Sequence, residues 1–327
     1  MSNPNIFFTS RSSRNFWRKK TALIFLICCL LSTIFIMQFF YNSPSSMINF
    51  NDNDDRLSFD MFNPELNRFF NQTDKKWYNK KDISMFDVKL LKEIRNNWII
   101  SKFINENIHS YLNLAEPDII EQSMGQAQII KKIFNNKTNG FFIECGAYDG
   151  ETRSNTLSLE RSLGWTGLLI EADPINFRKM LKKKRRSHLS PTCLSTQPYP
   201  MSVSFLMANN IGRIHNSSEN NSEKNTMDRA HHGIHVGVQC FPLASYIAAL
   251  EIKTVDYFSL DIEGDEMSIL KTIPFNLVDI KTLSVEFTHA ENDRQEMIDY
   301  MKLQGYYVHS LVTHPNNLAN DFIFVKS

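Results

Sequence analysis

Residues 141–150 read FFIECGAYDG, and this stretch decides the fold. Phe141 to Cys145 is an apolar run of strand length, Gly146 and Gly150 follow it, and a helical pattern opens near residue 155. Glycines between a strand and a helix start let the backbone come close to a ligand, and the first helical N–H groups are free to meet it. Glu171 lies twenty-five residues after Gly146, at the end of a second apolar run, GLLIE at 167–171. An acidic residue at that place is the usual partner of ribose hydroxyls in nucleotide-binding α/β sheets. Tyr148 occupies the space of the middle glycine of a dinucleotide fingerprint, so a pyrophosphate is hard to admit. S-adenosylmethionine has a ribose and an adenine but no phosphate, and it suits the loop better.

Working outward, short apolar runs alternate with helical patterns. Strands are expected at 141–145, 167–171, 201–207, 256–261, 282–287, 306–312 and 321–326. Helices are expected at 155–163, 174–185, 243–251, 265–273 and 291–304. Such alternation means βαβ units and a sheet covered by helices on both faces. Residues 209–235 are rich in Asn, Ser and His and read as a surface loop. Apolar spacing over 85–110 and 122–135 adds further helices ahead of the main pattern, with Asn139-Gly140 closing the second.

A third signal is Leu260-Asp261-Ile262-Glu263-Gly264-Asp265-Glu266, after the strand at 256–261. Carboxylates at a carboxyl strand edge face the crevice where open α/β sheets bind ligands. Asp261 suits the methionine amino group of the cofactor or a substrate hydroxyl. Asp261, Glu263 and His289 are the general-base candidates. Asp265 and Glu266 read as helix N-terminal charges. His215, His231, His232 and His235 come without the Cys/His spacing of a zinc site, so no metal is expected. The basic run Lys182 to Arg186 reads as a solvated helix end.

Composition bounds the rest. Lys+Arg is 36 and Asp+Glu is 35, a balance that excludes a dedicated nucleic-acid binder. Mean hydropathy is −0.31, which excludes a multi-span membrane protein but leaves room for one span. Residues 21–41, TALIFLICCLLSTIFIMQFFY, carry no charge. At about 1.5 Å per residue that run is roughly 31 Å long, the thickness of a bilayer core. Arg11, Arg14, Arg18, Lys19 and Lys20 precede it, and Asp52, Asp54 and Asp55 follow. Positive charge stays cytoplasmic, so residues 1–20 are expected in the cytosol, 21–41 as a signal anchor, and the remainder in the lumen. Residues 42–119 read as a stem with helical segments, and 120–327 as the globular domain. Sequons stand at Asn71, Asn136, Asn216 and Asn220, although about four arise by chance in a chain so rich in Asn. In an oxidising compartment Cys193 and Cys240, each beside an expected strand, are expected to form a disulfide.

The order FIECGAYDG, IEADP, CFPL, YFSLDIEGDEMSILK and LSVEF resembles the FkbM-type methyltransferase domain over about residues 120–327. The variant ECGAYDGETRSNT, with CLSTQPYPM and an anchor ahead, is similar to the Star group of type II membrane proteins. The resemblance implies a class I S-adenosylmethionine-dependent methyltransferase fold, with a seven-stranded, mostly parallel sheet. For the broad family it implies O-methyl transfer. For the Star group it implies assistance to the export of membrane-tethered epidermal-growth-factor-type precursors, with such a precursor as client. The residues expected to meet S-adenosylmethionine are Glu144, Gly146, Ala147, Tyr148, Asp149, Gly150, Glu171, Asp173 and Asp261.

Overall fold

The computed structural model describes Phe69 and residues 76–101, 112–208, 212–215, 234–287, 294–314 and 319–327. In chain order, α1 (Val88–Glu93) runs into a π-helical turn, Ile94–Trp98, and α2 (Gln126–Ile133) precedes the first strand. Then come β1 (Phe141–Cys145), α3 (Leu157–Leu163), β2 (Thr166–Ile170), α4 (Pro174–Lys183), β3 (His188–Ser190) and β4 (Cys193–Leu194). Next are β5 (Met201–Met207), β6 (Arg213–His215), β7 (Ile234–Phe241), α5 (Leu243–Ala249), β8 (Val255–Leu260) and α6 (Glu266–Thr272). The last four are β9 (Ile280–Glu286), α7 (Arg294–Leu303), β10 (Tyr306–Thr313) and β11 (Asn320–Lys326).

Seven strands form the main sheet in the order β3-β2-β1-β8-β9-β11-β10. The first five run parallel, and β11 lies antiparallel between β9 and β10. Strands covered on both faces are expected to be apolar throughout, and β8 is buried at every residue. The strand order reverses between β1 and β8, and a ligand crevice forms outside the carboxyl ends at such a switch point. The expected seven-stranded, mostly parallel sheet is therefore present, with one strand exchanged.

The exchanged strand is 201–207. It lies in a second sheet, ordered β4-β7-β5-β6, and pairs antiparallel with β7. Its residues are mostly half-buried, which suits a one-sided antiparallel sheet rather than a covered parallel one. Its place at the main sheet's edge is taken by β3, whose three residues are too few to show a period. The expected loop at 209–235 needs the same correction: residues 213–215 and 234–235 are strand. In β7 the polar His235, Gly237 and Gln239 alternate with Val236, Val238 and Cys240. That is a strand period, and its low apolar content reflects one wetter face.

Cys193 and Cys240 are paired across β4 and β7 and joined by a disulfide. Closing a loop with a sequence separation of 47 contributes about 4 kcal/mol in the chain-entropy account. Cys145 is a free, buried thiol.

Part of the segment read as stem belongs to the globular unit, Asn63–Ser327. Asp87 caps α1, accepting from the backbone N–H of Lys89 and Leu90. Trp98 packs edge-on against Phe241 at 5.5 Å, and Tyr78 lies 5.6 Å from the same ring. Asn79 and Gln239 exchange amide hydrogen bonds at 3.0 and 2.8 Å. Ile100 pairs with Leu189, covering the open edge of β3. An apolar helix face with a neighbour to cover is core, not spacer, and the boundary at 119/120 does not divide the fold.

The expected anchor at 21–41, the tail at 1–20, Cys28 and Cys29 lie outside the described residues, as do Asn71, Asn216, Asn220 and His289. Among the described residues no helix is long and apolar enough to cross a membrane. Asn136 is exposed in the turn after α2.

Candidate cofactor and catalytic site

β1 and β8 run close together where they end, with Asp261 N donating to Cys145 O at 3.2 Å. Gly146 has φ +80°, and a Cβ built there would lie 1.7 Å from the carbonyl oxygen of Asp261. Only glycine fits, because both the conformation and the contact exclude a side chain. The N–H groups of Gly146 and Ala147 donate to Ile170 O, each at 3.2 Å, which ties the loop to β2. A cavity of about 290 Å³ opens here, lined in part by Glu144, Gly146, Ala147, Tyr148, Glu171, Asp261 and Glu263.

The floor of the loop is a buried ionic network. Glu144 accepts from Ser154 Oγ (2.9 Å), from Asn155 N (2.7 Å) and from Thr156 Oγ1. Burial pushes its carboxyl above the usual range, and the Arg185 charge opposes that. Arg185 donates from Nε to Glu160 Oε2 at 2.9 Å, from Nη1 to Gly150 O at 2.6 Å and from Nη2 to Thr156 Oγ1 at 3.1 Å. Both members of the Arg185–Glu160 pair have side chains 0% exposed. Arg185 is thus not part of a solvated face, while Lys182 and Lys184 of the same run are exposed as expected. Lys183 also turns inward, to Glu151 Oε2 at 2.5 Å. Glu144 lines the cavity, but its oxygens are already engaged in holding 154–156.

Three expected cofactor residues have local tasks and do not line the cavity. Asp149 accepts from Glu151 N, Thr152 N and Thr152 Oγ1, folding its own turn. Asp173 is the N-cap of α4, accepting from Ile175 N at 2.8 Å and Asn176 N at 3.2 Å. Gly150, at φ +76°, has no room for a Cβ beside Met180. Glu171 does line the cavity. It accepts from Tyr148 N at 2.7 Å on Oε2 and from Asp173 N at 2.8 Å on Oε1. Burial, then the neighbouring Asp173 charge, pushes its carboxyl up to about 8 against those hydrogen bonds.

Across the switch point lies a second set of acids. Asp261, Glu263 and Glu286 are half-buried, and each places an oxygen within 4.8 Å of the others. Burial raises Asp261 well above the usual range, and the charges of Glu286, Asp321, Glu263 and Glu266 push the same way. Glu266 is more than a helix-end charge. Its Oε1 accepts from Ile262 N at 2.9 Å, holding the turn in which Glu263 takes φ +63°. Burial and the Glu286 charge raise Glu266 to about 7. Asp321 pairs directly across from Glu286 in the β9–β11 ladder, and Gln126 Nε2 donates to its Oδ2 at 2.9 Å. Burial, and Glu286 against the Gln126 bond, bring Asp321 to about 7.

The sequence reading missed Glu286, Gln126, Asn155 and Phe205, which line the same cavity. Glu286 was findable: it ends a strand of the parallel set, the position that singled out Asp261. Phe205 enters from the second sheet, whose placement no local pattern reveals.

Solved structures that match the chain include a methyltransferase from Pyrococcus furiosus, 13% identical, covering 62% of this chain and 83% of that one, with a TM-score of 0.35. Precorrin-6y C5,15-methyltransferase from Geobacter metallireducens is 11% identical over 62% of this chain and 87% of that one, at a TM-score of 0.34. The Burkholderia thailandensis 1,6-didemethyltoxoflavin-N1-methyltransferase, solved with S-adenosylhomocysteine, is 11% identical over 63% and 80%, at 0.33. No curated protein matches the chain. The sequence profile of the methyltransferase FkbM domain matches residues 144–308, half of the chain, starting at Glu144 of β1 and ending inside β10. The chain belongs to the FkbM methyltransferase domain family.

Proposed function

We propose that the cavity at the carboxyl ends of β1, β2 and β8 binds S-adenosylmethionine, and that the domain methylates a hydroxyl oxygen of a glycan or secreted product. The observation that carries this is the Gly146–Asp261 contact, open to the cavity, with Glu171 at the end of the neighbouring strand. Bound there, the cofactor would supply an electrophilic methyl group. Once ionised, above about pH 8, Glu171 can accept the ribose hydroxyls on lone pairs its backbone partners leave over, since a carboxylate offers about four acceptor sites. Asp261, with its affinity for protons raised, suits the task of taking the hydroxyl proton as the new carbon–oxygen bond forms. Titration calorimetry of the purified full-length chain with S-adenosylhomocysteine tests the reading. Glu171→Ala removes hydrogen bonds to a charged group worth roughly 1.5–3 kcal/mol, so affinity should fall about 10- to 150-fold. No binding by the wild-type chain ends the proposal.

One observation favours a second reading. Both oxygens of Glu171 are engaged by the protein's own N–H groups, so the loop is satisfied without a ligand. On that reading the chain acts as its Star-group resemblance implies. It is a single-pass type II protein with a cytosolic N-terminus and a lumenal domain, assisting transport of membrane-tethered epidermal-growth-factor-type precursors from the endoplasmic reticulum. The cavity is then vestigial. Glu171→Ala should leave precursor export unchanged, and the 120–327 region should resist protease added outside sealed microsomes. Digestion of that region removes this reading.

A further inference from the structure

We propose that Arg153, in the turn between β1 and α3, holds the carboxylate of the cofactor's amino-acid end. The inference rests on the cofactor reading above and adds a residue which that reading does not use. Arg153 is half-buried and lines the cavity. The other charged residues on the cavity wall are acids: Glu144, Glu171, Asp261, Glu263, Asp265 and Glu286. Arg153 is thus the only cation among the described residues that line it. None of those acids pairs with it. Among the described residues Arg153 makes neither a hydrogen bond nor an ion pair. Arg185, by contrast, spends its guanidinium on Glu160, Gly150 and Thr156. A guanidinium has five N–H donors in a rigid fork, and the fork fits a carboxylate with two parallel bonds.

The backbone supplies an independent observation. Arg153 takes φ +58°, a left-handed conformation that costs free energy in any residue with a side chain. Other positive-φ residues have local reasons. Asn135, Asn136 and Asn139 are asparagines, which tolerate it, and Lys184 and Glu251 stand at the ends of α4 and α5. Tyr148, Arg153 and Glu263 remain, and all three line the cavity. Glycine would take the conformation freely, so the strain at 153 is the cost of placing a guanidinium there. Burial, then the Asp149 charge, raises the Tyr148 phenol, and the Arg153 charge opposes them, so the guanidinium stands near that ring. A phosphate would bring up to two negative charges to a wall with many acids and one cation. An α-amino acid brings one carboxylate, which one guanidinium matches, and an ammonium, which suits the acids. S-adenosylmethionine has such an end.

Titration calorimetry of the purified full-length chain tests the contact, above pH 8 where Glu171 is ionised. Arg153→Met should bind S-adenosylhomocysteine about 10- to 150-fold more weakly, the worth of hydrogen bonds between charged groups. Arg153→Lys keeps the charge and loses the fork, so it should recover part of that loss. Arg153→Gly should lose as much affinity as Arg153→Met while melting no lower than wild type, because it removes the backbone strain. A purely structural arginine would not divide binding from stability in that way. The ligand is then changed instead of the protein. Decarboxylated S-adenosylhomocysteine, read by displacement of the parent, should bind wild type more weakly by about the factor that Arg153→Met loses. Met and Gly variants within about twofold of wild type would overturn the inference and leave the cofactor reading standing. A decarboxylated analogue that binds wild type as tightly as its parent would do the same. A wild-type chain that binds no S-adenosylhomocysteine ends both.

Discussion

Two sets of acids flank the carboxyl edge of the main sheet, and the protein treats them in opposite ways. On the β1–β2 side, Glu144 and Glu160 have partners throughout: Arg185, three hydroxyls and backbone N–H groups. On the β8–β9 side, Asp261, Glu263 and Glu286 place oxygens within 4.8 Å of one another, and burial, then the charges of Glu286, Asp321, Glu263 and Glu266, raises the Asp261 carboxyl. A buried charge is tolerated when paired and costly when not. The first set therefore fits a structural role, fixing the 146–156 loop. Of the second set, Asp261, Glu263 and Glu286 line the cavity. The difference divides scaffold from site within one strand edge.

Breaking the paired side should have the largest effect. Arg185→Met leaves Glu160 buried without its counter-charge, and losing one partner of a buried pair costs about 3–5 kcal/mol. For a domain of this size the melting temperature should drop by about 10 °C. The double variant with Glu160→Met should recover much of the loss. A single variant that melts within about a degree of wild type would show that the pairing is not what holds the loop.

Glu171 sits between the two sets and makes a pH prediction. Its folded value is about 8 against an ordinary 4.5, a raised acid. The folded state then binds the extra proton, so the contribution to stability is whole below about 4.5 and is lost as pH rises to about 8. The loss is on the order of 5 kcal/mol at most. Glu171→Gln should flatten melting temperature against pH over that window. A wild-type slope that persists unchanged in the variant assigns it to other acids.

The crowded side should respond in the other direction. Glu286→Gln removes one of three close carboxylates. Like charges 4.8 Å apart repel by about 3 kcal/mol at an effective dielectric near 20, and the raised proton affinity of Asp261 already relieves part of that. The variant should be more stable than wild type by about 1 kcal/mol, a rise of about 2–4 °C. A lower melting temperature would mean that the partners of Glu286 outweigh the repulsion, and the contrast between the sets would fail.

Much of the first set's backbone was legible in the sequence and little of its chemistry. The runs FFIEC and GLLIE and the glycine between them announced two parallel strands and a loop, because a strand buried on both faces is apolar throughout. Arg185 was misread, since a cation at a helix end looks alike in sequence whether it faces water or Glu160. On the other side, Asp261 and Glu263 stood out by their place after a strand. Glu286 needed the β8–β9 pairing, and Asp321 needed the antiparallel register of β11. The second sheet was the least visible: β5, β6 and β7 are half-wet strands, and β4 has two residues.

The smallest expected effect separates a cap from a ligand at Asp173, which the sequence reading placed against the cofactor. Its side chain accepts from Ile175 N and Asn176 N at the start of α4. Asp173→Ala leaves those N–H groups without an acceptor and should cost about 1 kcal/mol of stability. Asp173→Asn keeps an acceptor and removes the charge, so it should melt close to wild type. The Asp173 charge is also the largest electrostatic contribution to the raised value of Glu171. The Asn variant should therefore lower the pH at which the Glu171 slope ends, while Asp173→Ala adds a loss of stability at every pH. Cofactor affinity is best compared well above pH 8, where Glu171 is ionised with or without its neighbour. There the Asn variant should bind S-adenosylhomocysteine within about twofold of wild type, a difference of about 0.4 kcal/mol. A tenfold loss at that pH would place Asp173 in contact with the ligand and move it from the scaffold to the site.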